Sequence, residues 1–102
     1  EWQIRVCQGE ELPEKETRPQ KGHSLEVRLY AEDPSEGFLP SIGKIHFLQF
    51  PNLPGLRIDS GVRTGSEISM FYDPMIAKII VWAETRALAI QTMTETLNQT
   101  IV

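Results

Sequence analysis

Met75-Ile76-Ala77-Lys78-Ile79-Ile80-Val81-Trp82-Ala83 is the longest apolar stretch of the chain, rich in β-branched residues and interrupted by one charge, Lys78. Nearly continuous hydrophobicity over nine residues, rather than strict alternation, is the pattern of a strand covered on both faces, so it predicts a central strand. It is also too short and too charged to cross a bilayer, so no membrane partner is expected. The preceding Tyr72-Asp73-Pro74 bends the chain into this strand, with the aspartate bonding the local backbone.

Two further stretches supply neighbours for a central strand. In Leu56-Arg57-Ile58-Asp59-Ser60-Gly61-Val62, the residues Leu56, Ile58, Ser60 and Val62 share one face, and Arg57 and Asp59 share the other. In Ser24-Leu25-Glu26-Val27-Arg28-Leu29-Tyr30, the apolar positions Leu25, Val27 and Leu29 alternate with Glu26, Arg28 and Tyr30. Lys44-Ile45-His46-Phe47-Leu48-Gln49-Phe50 reads as another strand on its β-branched and aromatic content, ended by Pro51-Asn52-Leu53-Pro54-Gly55. Arg63-Thr64-Gly65-Ser66 reads as a turn, with Gly65 at positive φ, leading to a hairpin partner over residues 67–72.

Downstream, Thr85 is placed to cap a helix in which Ala87, Ile90, Met93, Leu97 and Ile101 form a stripe suited to covering a sheet. Upstream, Trp2, Ile4, Val6 and Cys7 suggest the tail of a helix over residues 1–8, and residues 10–22 form a polar connector. The expected class is therefore α+β: a small, mostly antiparallel sheet of four or five strands, an N-terminal helix end and a C-terminal covering helix. Neither end carries a recognisable start or stop signal, so further polypeptide is expected on both sides.

Composition removes several functions. With 102 residues and a formal charge of -4, the chain offers one small core and no Lys/Arg cluster to neutralise phosphates, so no nucleic-acid partner is expected. The single cysteine, Cys7, excludes an internal disulfide and a cysteine-based metal site, and reads as a small packing residue. The seven glycines show neither phosphate-loop spacing, so no nucleotide motif is recognisable, and no G-x-S-x-G elbow accompanies the serines. His23 and His46, at a strand start and within a strand, read as structural or solvated, and no metal site is expected.

Arg57 is the residue with chemical promise. A guanidinium stays charged and presents a planar fork suited to an enolate-like oxygen anion, yet on the residues alone a surface ion pair with Asp59 or a cross-strand carboxylate is the favoured account. Glu26 and Arg28 read as a solvated pair of strand positions. Lys78 either reaches the surface or pairs with Asp73, Asp59 or Glu26.

Four blocks, taken in order, resemble one family. Gly22-His23-Ser24-Leu25-Glu26-Val27-Arg28-Leu29-Tyr30-Ala31-Glu32-Asp33-Pro34, Phe38-Leu39-Pro40-Ser41-Ile42-Gly43, Arg57-Ile58-Asp59-Ser60-Gly61 and Tyr72-Asp73-Pro74-Met75-Ile76-Ala77-Lys78 are similar to the C-terminal domain of biotin carboxylase. The resemblance runs through the whole chain. Glu1-Trp2-Gln3-Ile4-Arg5 and Ile80-Val81-Trp82 resemble biotin-containing subunits of methylcrotonyl-CoA carboxylase. Leu53-Pro54-Gly55-Leu56-Arg57-Ile58-Asp59-Ser60-Gly61 and Gly65-Ser66-Glu67-Ile68-Ser69 resemble propionyl-CoA carboxylase. The subfamily stays open between the two.

The resemblance implies a division into residues 1–21, a helix end and connector from a preceding ATP-grasp region, and residues 22–102, the C-terminal domain. It implies an ATP-dependent carbon-nitrogen ligase that activates bicarbonate with Mg-ATP and carboxylates N1 of biotin held on a carrier domain. ATP and Mg2+ would be bound mainly by the upstream region, so this chain alone is expected to be inactive. Further implied partners are the ATP-grasp region of the same polypeptide, the biotin carboxyl carrier domain and a carboxyltransferase subunit, which selects the acyl-CoA. Arg57 is implied to contact the biotin ureido oxygen and is the one site residue carried over, as catalytic and biotin-binding. The implied compartment is the mitochondrial matrix in a eukaryote and the cytoplasm in a bacterium. Bacterial relatives dimerise through a surface that includes residues 82–86, whereas larger acyl-CoA carboxylases assemble differently. Two other readings compete: a structural module buttressing the nucleotide domain, and the C-terminal domain of another ATP-grasp ligase, which the block over residues 72–78 disfavours.

Overall fold

The computed structural model describes residues 1–12, 19–71 and 73–102. In chain order the elements are helix α1 (Trp2–Cys7), strands β1 (His23–Tyr30) and β2 (Glu32–Asp33), a 3-10 turn (Pro34–Glu36), and strands β3 (Leu39–Pro40) and β4 (Gly43–Lys44). Strands β5 (Leu56–Ser60), β6 (Glu67–Ile68) and β7 (Met75–Ala83) come next, and helix α2 (Arg86–Gln99) ends the series. Much of the expected connector lies at residues 13–18, and Tyr72 of the bend lies at position 72, both outside the described residues.

The continuous apolar stretch becomes β7 and takes the centre of a three-stranded antiparallel sheet in the order β1-β7-β5. The strand is central as expected but covered by α2 on one face only: Ile79 and Val81 are buried under α2, while Lys78 and Ile80 are half-buried and Trp82 is exposed on the other face. The register aligns side chains in rows across all three strands: Leu25, Val81 and Leu56 form one row, and Val27, Ile79 and Ile58 another. These rows face α2, where Ile79, Val81, Ala89 and Met93 form the buried cluster, with Leu25, Val27, Phe50, Leu56, Ile58 and Ala83 packed around it. Each fully buried aliphatic side chain contributes about 1.5–3 kcal/mol. This layer is the main source of stability.

Thr85 caps α2 as the sequence suggests, its hydroxyl accepting the Leu88 amide at 3.3 Å. The covering face is rotated from the expected stripe. Ala89, Met93 and Thr96 are buried, while Ala87, Ile90, Leu97 and Ile101 are exposed, so only Met93 belongs to both sets. Thr96 enters the core because its hydroxyl donates to the Thr92 carbonyl at 2.8 Å, which satisfies the polar group inside the helix.

Other expectations need correction. The expected strand over residues 44–50 is strand only at Gly43–Lys44, with Gln49 forming an isolated bridge to Ile101. Ile45 is instead pinned by single bonds: its amide donates to the Ser66 carbonyl at 2.8 Å, and its carbonyl accepts the Gly65 amide at 2.7 Å. The turn at Arg63 to Ser66 forms, with Gly65 at φ 90°, but it does not lead into a hairpin partner of β5. It leads into β6, two residues long, paired with β4. The single sheet of four or five strands thus becomes a three-stranded sheet and two small two-stranded pairs, β2 with β3 and β4 with β6. Cys7 is exposed rather than packed, because every residue of α1 is exposed.

The acidic bend at Asp73 forms as expected, and Asp33 makes a second one. Asp33 accepts the Ser35 amide at 2.8 Å and the Ser35 hydroxyl at 2.6 Å, and Asp73 accepts the Met75 amide at 2.9 Å, fixing the entry into β7. Among the described residues no helix is long and apolar enough to cross a membrane.

Candidate functional site

A strand with one face in the core must present its alternate residues on the other. On the sheet face turned away from α2, Glu26, Ile80 and Arg57 lie in one row, and Arg28, Lys78 and Asp59 in the next. Five charged side chains from three strands are therefore gathered on a patch two residues deep. Sequence periodicity assigns each to its face, but which cation stands opposite which carboxylate depends on the register.

Arg57 is the most exposed member of the ion pairs on this patch, at 73%, while its partner Asp59 is 35% exposed. The pairing is two-pronged: Nε donates to Oδ1 of Asp59 at 2.8 Å and Nη2 donates to Oδ2 at 3.0 Å. The hydrogen bonds from Arg57 hold the Asp59 carboxyl below the usual carboxylate range, with the charges of Arg57 and Lys78 adding to the effect, against a smaller opposing cost of burial. The same bonds raise the Arg57 guanidinium above its ordinary value. Arg57 is a permanent cation in this setting.

Lys78 resolves its open choice. Its Nζ stands 3.9 Å from Oε2 of Glu26, and its charge acts on Asp59 from the opposing register position. Lys78 thus lies between two carboxylates, one from each neighbouring strand. Arg28 turns toward Tyr30 instead, with Nη1 3.3 Å from the phenol oxygen and the guanidinium carbon 5.6 Å from the ring centroid.

The donor inventory shows what Arg57 can do. A guanidinium carries five N–H groups, and Asp59 takes one from Nε and one from Nη2. One donor of Nη1 and the second donor of Nη2 are left on the outer edge, the edge that can fork around an anionic oxygen, and the other Nη1 donor points back toward the Cδ side. No comparable arrangement exists at the histidines: His23 and His46 are both exposed, and among the described residues no group of three or more His, Cys, Asp or Glu is gathered as a metal ion would require.

Residues 26–102 match the family model described as the biotin carboxylase C-terminal domain. The chain belongs to the biotin carboxylase C-terminal domain family. Methylcrotonoyl-CoA carboxylase subunit alpha from Glycine max is 44% identical to it over 100 residues, covering 97% of this chain and 14% of the relative. Propionyl-CoA carboxylase alpha chain from Mus musculus is 44% identical over 102 residues, again covering 97% and 14%. Both relatives are described as mitochondrial. Equal identity to the two leaves the subfamily open, in keeping with the mixed resemblance of the sequence.

The biotin carboxylase domain dimer of 2-oxoglutarate carboxylase from Hydrogenobacter thermophilus, solved with MgADP, ADP and bicarbonate, matches with a TM-score of 0.91 at 40% identity. It covers 98% of this chain and 22% of the solved one. The α+β arrangement with its covering helix is thus that of biotin carboxylase C-terminal domains. This chain spans about a seventh of the length of the curated relatives it matches.

Proposed function

We propose that this domain is the C-terminal part of an ATP-dependent biotin carboxylase within an acyl-CoA carboxylase, and that Arg57 binds the ureido oxygen of biotin while N1 is carboxylated. The observation that carries the reading is the exposed Arg57 guanidinium on the open sheet face, held on one edge by Asp59 and free on the other. Biotin, when bound, supplies a ureido group whose oxygen gains negative charge as N1 loses its proton. Arg57 lowers the cost of that charge, because a cation already oriented toward the oxygen stabilises it without reorganising. Asp59, as a carboxylate, balances the cation in the absence of that charge.

No step through ATP or Mg2+ is assigned to these residues: no phosphate-loop spacing is present, and no carboxylate cluster suited to Mg2+ stands among the described ones. Nucleotide, metal and bicarbonate belong in this reading to the ATP-grasp region of the same polypeptide, so the isolated chain is inactive. The biotin carboxyl carrier domain delivers the substrate, and a carboxyltransferase subunit consumes the product and chooses the acyl-CoA. The compartment in this reading is the mitochondrial matrix for a eukaryotic protein and the cytoplasm for a bacterial one.

The test is Arg57→Ala in the complete carboxylase. ATP-dependent carboxylation of free biotin is expected to fall by about two to three orders of magnitude with assembly intact, as loss of one oxyanion donor typically produces. Near-normal turnover would remove the role assigned to Arg57. Lost assembly would favour the buttressing module instead, and failure of biotin as an acceptor in the wild type would favour another ATP-grasp ligase.

A further inference from the structure

We infer that Asp59 is the positioning residue for Arg57, setting the plane and direction of its guanidinium so that the Nη1 and Nη2 edge faces the incoming oxygen anion. This rests on the reading of Arg57 given above and adds a second residue to it. An arginine on an open sheet face has four rotatable side-chain torsions, and little packing restrains it. A single hydrogen bond would leave the group free to turn. Two parallel bonds from Nε and Nη2 to the two carboxylate oxygens fix both the plane and the bearing of the fork.

The spacing explains how the pair forms. Residues two apart on a strand point to the same side, so Arg57 and Asp59 reach each other without leaving β5. Lys78 occupies the position on β7 opposite Asp59, where its charge acts on the carboxylate, and its Nζ is 3.9 Å from Glu26 on β1. The series Glu26, Lys78, Asp59, Arg57 alternates in sign across all three strands. Its terminal member alone has a free donor edge of the kind an anion needs.

Stability is a poor explanation for the pair, since an exposed ion pair contributes little to folding. Positioning makes a different demand, because a displacement of about 1 Å in a reacting geometry can cost on the order of 100-fold in rate. Removal of Asp59 should therefore leave the fold intact and slow the chemistry.

The experiment uses the complete carboxylase with free biotin, bicarbonate and Mg-ATP, and compares Arg57→Ala, Asp59→Ala, Asp59→Asn, Asp59→Glu and the double variant Arg57→Ala/Asp59→Ala. Asp59→Ala is expected to lower kcat about 10- to 100-fold, with Asp59→Glu recovering part of the loss. The double variant is expected to be no slower than Arg57→Ala alone, because a positioning residue has nothing to position once the arginine is gone. A crystal structure of Asp59→Ala should show Arg57 in more than one rotamer, against one in the wild type. Should Asp59→Ala fail to fold, the isosteric Asp59→Asn carries the same comparisons. Slow Arg57→Ala with normal Asp59→Ala would overturn the positioning role and leave the Arg57 reading standing. Losses that multiply in the double variant would also overturn it, by making Asp59 independent of Arg57. Normal Arg57→Ala would overturn both.

Discussion

Gly55 and Trp82 meet backbone to backbone: the Trp82 amide donates to the Gly55 carbonyl at 2.9 Å, and a Cβ on residue 55 would stand 2.3 Å from the Trp82 carbonyl oxygen. Gly55 also sits at φ +76°, where a side chain is strained whatever the space. Both demands fall on the turn that feeds β5 alongside β7. Gly55→Ala is expected to destabilise by about 1–3 kcal/mol. At this chain length that is a fall of about 4–8 °C in Tm per kcal/mol, read by thermal unfolding. An unchanged Tm would refute the close approach.

The rotated face of α2 makes a paired prediction. Met93 is buried against Ile79 and Val81, so Met93→Ala should cost about 2–5 kcal/mol through lost contacts and a cavity. Leu97 is exposed, and Leu97→Ala should cost less than about 1 kcal/mol. Urea unfolding of the two variants checks the order. The reverse order would restore the stripe that apolar letters alone suggest.

Removing the helix cap gives a third measure. Thr85→Ala deletes the hydroxyl that accepts the Leu88 amide and should cost about 0.5–2 kcal/mol, with Thr85→Ser or Thr85→Asp close to the parent. The melting temperatures of the three variants test this ranking.

Asp59 carries a pH dependence of definite sign. Its carboxyl is held low first by hydrogen bonds from Arg57, then by the charges of Arg57 and Lys78, with Glu26 and Arg28 completing the charged groups on that face. A group lowered on folding contributes stability that is fully present above its unfolded value of about 3.9 and is lost as pH falls through the lower, folded one. Carbon NMR of the Asp59 carboxyl should show a midpoint below the ordinary aspartate value, moving up in Arg57→Ala. Asp33, lowered by the hydrogen bond from the Ser35 hydroxyl and then by the Ser35 amide, should behave alike and be indifferent to Arg57.

Residue pattern made the three long strands and both helices legible because each is a periodic segment whose signal is local. Val27, Ile79 and Ile58 announce their faces by alternation or by unbroken hydrophobicity, and their meeting in one row needs only antiparallel pairing. Ile45 defeated the same logic. Its segment has strand-like composition, but β-propensity describes fitness for a half-buried surface, and here the surface is the turn at Arg63 to Ser66, reached through single bonds rather than a ladder. Thr96 misled for a related reason: its hydroxyl is satisfied within its own helix, so a polar letter stands where the stripe required an apolar one. Of the candidate site, Arg57 and its two possible states were readable, an oxyanion binder or a partner of Asp59. The pairing with Asp59 is what the structure shows, and that it leaves donors over for an anion depends on which N–H groups it consumes, a geometry that a sequence does not contain.

The central place of β7 has one more consequence. Because β1 and β5 each pair with β7 and not with each other, one strand acts as the common ruler for both flanks. Inserting a single residue within it would turn every following side chain to the opposite face, moving lysine inward and isoleucine outward against two neighbours at the same time. Length changes should accumulate in the turns around Gly61 and Gly65 and be absent from the nine residues of β7. The alignment of charge with charge on one side and methyl with methyl on the other is kept by counting as much as by chemistry.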